Sequence, residues 1–155
     1  MKNLLTLLFT IAISVSVQAQ TGNDYLELAR EVLKAEKKAA IAEGMNLTEE
    51  ESKVFWPLYN EYQAELYIIQ NKRIDIVTDF AENYENLTDE KADELYSASI
   101  KYQKGVLKTE TKYYKKFKKN IPKGKAARFF QLENKIETLI DAQMAMEIPL
   151  IEVSN

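Results

Sequence analysis

The chain has 155 residues, a formal net charge of −3, 46% hydrophobic residues, and neither cysteine nor histidine. Its length suits one domain with a hydrophobic core. The missing residue types rule out disulfides, thiolate and imidazole metal ligands, and any nucleophile that needs a histidine base.

At the N-terminus, Lys2 supplies a short positive region, Leu4 to Val17 an apolar one, and Val17-Gln18-Ala19 a small-residue cleavage site. This is the pattern of a secretory signal over 1–19, cut before Gln20. A membrane span needs about 20 predominantly apolar residues, and polarity sets in at Gln18. The expectation is therefore an exported chain, soluble after cleavage, with 20–155 as a single all-helical domain. No cysteine comes after the apolar stretch, which argues against a lipoprotein anchor.

Few glycines and prolines interrupt residues 20–155, and apolar residues recur there at threes and fours. A first helix is expected from Asp24, with Glu27 completing a capping box, Tyr25, Leu28, Ala29, Val32, Ala35 and Ala39 on its buried face, and Gly44 in the left-handed position after its last turn. A second helix starts at Leu47-Thr48, where Thr48 and Glu51 have T-x-x-E spacing, and runs through Phe55, Leu58, Tyr62, Leu66, Ile69, Ile76 and Phe80 to Glu85. Such a helix is about 55 Å long, which points to an elongated body. Pro57 lies inside it, and a bend rather than a break is expected there. Trp56 is assigned to core packing around that bend, with Tyr59, Tyr67, Tyr96 and Tyr114 half exposed.

Thr88 opens a third helix, with Asp89 and Glu90 at its positive end and the lysines of 112–119 at its negative end. Its buried stripe reads Ala92, Leu95, Ser99, Tyr102, Val106, Thr109, Tyr113 and Phe117. Pro122 is set for the first position of a fourth helix, which passes Phe129, Leu132, Ile136, Leu139 and Ile140 and closes at Pro149. The sequence thus describes an all-α protein of three to four long antiparallel helices. Asn46-Leu47-Thr48 and Asn86-Leu87-Thr88 match the N-x-T acceptor pattern, but a helix entrance with a staple leucine and a capping threonine accounts for both.

Between Lys108 and Arg128 stand Lys108, Lys112, Lys115, Lys116, Lys118, Lys119, Lys123, Lys125 and Arg128 against the single acid Glu110, with Tyr113, Tyr114, Phe117, Phe129 and Phe130 among them. In an otherwise acidic chain this block is the candidate working surface. Lys112, Tyr114, Lys115, Lys116, Lys119, Lys123 and Arg128 are the candidate binding residues. Lysines steer acidic partners, and exposed aromatic rings supply apolar area without a fixed shape requirement.

The stretches Leu47-Thr48-Glu49-Glu50-Glu51, Phe55-Trp56-Pro57-Leu58-Tyr59-Asn60-Glu61-Tyr62 and Tyr113 to Phe130 resemble the periplasmic Spy and CpxP family of helical stress proteins. The resemblance is strongest to the Bacteroidota form often described as a sensor of ECF-type sigma factor. Glu51 stands where the family's L-T-x-x-Q motif has glutamine, and the later motif is reduced to Ile121-Pro122-Lys123-Gly124-Lys125. The resemblance implies a periplasmic protein and a curved antiparallel homodimer of helical hairpins. It also implies an ATP-independent holdase that binds partly unfolded exported proteins on a basic, apolar face. The alternative is a regulatory adaptor that binds a single envelope sensor or anti-sigma partner.

Enzymatic chemistry is not expected, and neither is a cofactor. Glu133, Glu137 and Asp141 fall on one helix face at i, i+4, i+8, and a solvated acidic face explains them better than a hard-cation site. Export argues against nucleic acid as the partner of the lysines. Weak contact with an anionic membrane surface is the stronger rival, because a lysine-rich amphipathic helix can sit at lipid headgroups.

Overall fold

Capping threonines mark two of the helix starts. In the computed structural model, which describes residues 19–151, Thr48 Oγ1 accepts from the Glu51 amide at 3.2 Å and Glu51 Oε2 accepts from the Thr48 amide at 2.8 Å. This is the reciprocal cap expected from the T-x-x-E spacing. Thr88 likewise accepts from the Lys91 amide at 3.2 Å. Among the described residues there are four α-helices and no strand: α1 (Ala19–Met45), α2 (Glu49–Asn83), α3 (Asp89–Asn120) and α4 (Lys123–Glu147), with a 3-10 turn at Tyr84–Asn86 between α2 and α3. The expected signal segment lies almost wholly outside the described residues.

The chain divides after Gly44 into two compact units. In the first, α1 is already helical at Ala19, upstream of the expected start at Asp24. Its buried side also differs from expectation. Lys37 and Ile41 are buried, whereas Leu28 is 62% exposed and Val32, Ala35 and Ala39 are exposed too. The left-handed residue after the helix is Asn46, at φ 47°, and Gly44 stays helical. Asparagine is the side chain that best tolerates that conformation after glycine.

In the second unit, α2, α3 and α4 pass up, down and up. Phe55 meets Phe117, Tyr62 meets Tyr113 and Asp79 meets Lys91, so α2 and α3 run antiparallel. Gln63 bonds to Glu133 and Arg73 to Asp141, so α4 runs parallel to α2. The stripe expected on α3 is the inward one. Leu95, Thr109, Tyr113 and Phe117 are buried, and Ala92, Ser99, Tyr102 and Val106 are half-buried.

The densest packing is at the end where α3 turns into α4. Phe55, Tyr59 and Tyr62 of α2, Tyr113 and Phe117 of α3, and Phe129 of α4 are all buried there. Trp56 and Tyr59 exchange their expected places. Tyr59 is 2% exposed, while Trp56 is half-buried and lies edge-on to Phe55 at 5.0 Å and Tyr59 at 5.4 Å. The reason is the stripe Phe55-Tyr59-Tyr62-Leu66, spaced i, i+4, i+7, i+11, which places Tyr59 on the inward face and turns Trp56 about 100° from Phe55.

α2 continues unbroken through Pro57, which is itself exposed. The carbonyl that Pro57 cannot bond belongs to Lys53, also exposed, so water can satisfy it. Gly105 lies inside α3 facing α2, and a Cβ there would stand 3.6 Å from Ile69 Cγ2, an ordinary contact. Gly105→Ala should therefore raise stability by about 0.5–1 kcal/mol through helix propensity. Urea unfolding monitored by helicity reads this directly.

Candidate functional site

The basic block forms the last three turns of α3, the Ile121-Pro122 corner and the start of α4. The corner is made by Ile121, which is buried and whose amide bonds to the Phe117 carbonyl at 2.9 Å, and by Pro122. Pro122 sits one residue before the helix rather than at its first position, and its carbonyl accepts from the Ala126 amide at 3.0 Å.

The rings of the block mostly face inward. Tyr113, Phe117 and Phe129 are buried and Phe130 is half-buried. Tyr114 alone of the five is exposed, at 37%, edge-on to Phe130 at 5.6 Å with Lys118 Nζ 5.3 Å from its ring centre. The rings that favour a client surface in sequence are thus largely core, because their spacing coincides with the inward stripes of α3 and α4.

The cations separate into two sets. Lys112 pairs with Glu65 at 2.6 Å and Lys116 with Glu61 at 2.9 Å, clamping α3 to α2 on either side of Tyr113. Lys116 also lies 4.5 Å from the Tyr113 ring centre. Lys125 bonds to Glu51 and, at 3.0 Å, to the Asn46 carbonyl, tying α4 to the start of α2. These lysines are fasteners. Lys115, Lys119 and Lys123 are exposed, and no ion pair joins them to the described residues. Arg128 is exposed and engaged in an interaction of its own. The remaining motif residues serve the frame: Leu47 is half-buried beside the Thr48 cap, and Glu51 joins that cap to Lys125.

The acid partners Glu61 and Glu65 escape a reading of the sequence, because no local pattern joins residues 47 and 55 positions apart. The acidic face expected on α4 is corrected as well. Glu133 is 1% exposed and accepts from Gln63 Nε2 at 2.6 Å, Glu137 is half-buried, and Asp141 pairs with Arg73 at 2.6 Å. Burial pushes the Tyr62 hydroxyl far above its usual range, and the carboxylates of Glu133, Glu110 and Glu137 add to the effect. Among the described residues no group of three acidic side chains is arranged to hold a metal ion.

The fasteners also set a pH dependence. The hydrogen bond from Lys125 holds the Glu51 carboxyl below its ordinary value of 4.5, and that from Lys112 does the same for Glu65. Because both are depressed in the folded state, the stability they supply is complete above the unfolded value and is lost as pH falls through the folded one. Lys91 and Lys116 are raised above 10.5, chiefly by the hydrogen bonds they donate to Asp79 and Glu61, so their contribution is lost on the alkaline side. Thermal melting should be flat from about pH 6 to 9 and fall below about pH 4.5. The double substitution Glu51→Gln, Glu65→Gln should make the acid limb shallower.

Compared with family models, curated proteins and solved structures, the chain matches none, so the likeness to Spy and CpxP proteins rests on its sequence motifs alone.

Proposed function

We propose that this is an exported, non-catalytic, ATP-independent holdase of the Spy and CpxP kind that captures partly unfolded proteins at the α3–α4 corner. The observation that supports the reading is the division of labour among the cations. After Lys112, Lys116 and Lys125 have been taken up in holding helices together, Lys115, Lys119 and Lys123 remain exposed around the corner, and Lys118 lies 5.3 Å from the centre of the partly exposed Tyr114 ring. A layer of ammonium groups on long stems, next to a partly exposed ring, attracts acidic, incompletely folded chains and holds them loosely, without demanding one shape.

The test is aggregation of several unrelated denatured clients at equimolar protein without nucleotide. Protection is expected, and Lys115→Glu/Lys119→Glu/Lys123→Glu should lose most of it for acidic clients, by about tenfold in effective concentration, with helicity unchanged. Lys116 stays in place in this variant because its reversal would set two acids against each other at Glu61. If no client is protected and a single envelope sensor is retained instead, the protein is an adaptor and the holdase reading falls.

A further inference from the structure

The exposed face of α3 ahead of the corner, from Tyr96 to Leu107, lies outside the inward stripe and meets the client surface only at Tyr114 and Lys115. Tyr96 is 68% exposed, Ile100 37% and Leu107 63%. With Tyr114 they fall within about 40° of one another on the helical wheel, forming a line about 27 Å long. Lys101, Lys104, Lys108 and Lys115 are exposed along one flank of that line, and none is ion-paired with the described residues. From Tyr96 to Asn120 the sole acid of the helix is Glu110, which is half-buried and acts on Tyr62 at the inward side. Lys104, Leu107, Lys108, Thr111, Lys112 and Lys115 border a shallow, open hollow.

We propose that this face lays the protein on an anionic bilayer surface, α3 in the plane of the headgroups. Three features select lipid over a folded partner. The exposed apolar groups lie on one line along a single helix, which a plane can meet all at once. The hollow beside Leu107 is open and bordered mostly by lysines, so it offers no apolar socket for a side chain. The flanking lysines have stems long enough to keep ammonium groups at phosphate level while their methylenes follow Leu107 inward. Tyrosines near both ends of the line suit the boundary between water and acyl chain. Among the described residues no helix is long and apolar enough to cross a membrane, and contact at the surface requires none.

The experiment is co-sedimentation of the mature chain, residues 20–155, with vesicles of phosphatidylcholine alone or with about one-third phosphatidylglycerol. Binding to the anionic vesicles should exceed binding to the neutral ones by at least about tenfold and fall steeply with salt. Lys104→Glu/Lys108→Glu and, separately, Leu107→Asp should each reduce it by about tenfold or more. All three positions are exposed, so the variants should keep wild-type helicity, and they should still protect denatured clients, since the α3–α4 corner is intact. Equal binding to both vesicle types, no binding, or variants that bind like the wild type would overturn the proposal. Loss of client protection in Lys104→Glu/Lys108→Glu without any vesicle binding would overturn it too, assigning the face to polypeptides. Failure of the corner to hold clients leaves the vesicle result unaffected.

Discussion

Phe129→Ala should destabilise the second unit by about 3–5 kcal/mol, the largest effect expected of any single truncation in it. Phe129 has no exposed surface, and its ring centre lies within 6 Å of five others: Phe117 at 4.7 Å, Phe130 at 4.8 Å, Phe55 at 5.1 Å, Tyr62 at 5.8 Å and Tyr59 at 5.9 Å. These rings come from all three helices of the unit, so the void left by truncation cannot be closed by the shift of one neighbour. Most of the contacts are edge-on or tilted, which adds quadrupole attraction to the area buried. Chemical unfolding of wild type and variant should show the midpoint fall with little change in slope if the folded remainder keeps its packing. A loss below about 1 kcal/mol would mean that the rings can repack around the gap and that the aromatic end is looser than its geometry indicates. Phe129→Leu, which conserves most of the volume, should recover more than half of the loss.

The helices around this ring differ in how far the sequence discloses them. The α3 stripe is legible because eight inward positions follow one spacing without a break. The start of α2 is legible because Thr48 and Glu51 are chemically committed to each other three residues apart. Tyr59 is harder to place because Leu58, next to it, also looks like a core residue, and a helix buried on a broad face makes neighbouring positions compete. The basic block looks like one surface in sequence although it is two. Whether a lysine is displayed or used as a fastener depends on which acid faces it across a helix interface, and the spacing along its own helix carries no trace of Glu61 or Glu65. The outward line of Tyr96, Ile100, Leu107 and Tyr114 is present only by subtraction, as the positions left over once the inward stripe of α3 is assigned.

Glu133→Leu should destabilise the protein by about 1–3 kcal/mol, although leucine is the more apolar residue and the site is buried. The carboxylate is 1% exposed and accepts from Gln63 Nε2 at 2.6 Å, across the interface between α4 and α2. Its loss leaves a part-buried amide without this acceptor, and that desolvation cost outweighs the gain from the added apolar surface. Gln63→Leu alone should also destabilise, for the complementary reason. The pair should be coupled: combining the two changes should cost less than their separate effects predict, by about 1–2 kcal/mol in a double-mutant cycle. Glu133→Gln keeps an acceptor oxygen of nearly the same shape and should retain much of the Gln63 bond. An additive cycle would show that Glu133 is held by its other contacts and that Gln63 merely lies near it. A coupled one shows that the pair, together with Arg73 and Asp141, helps to fix the register of α4 on α2, because a register slip would part both polar pairs at once.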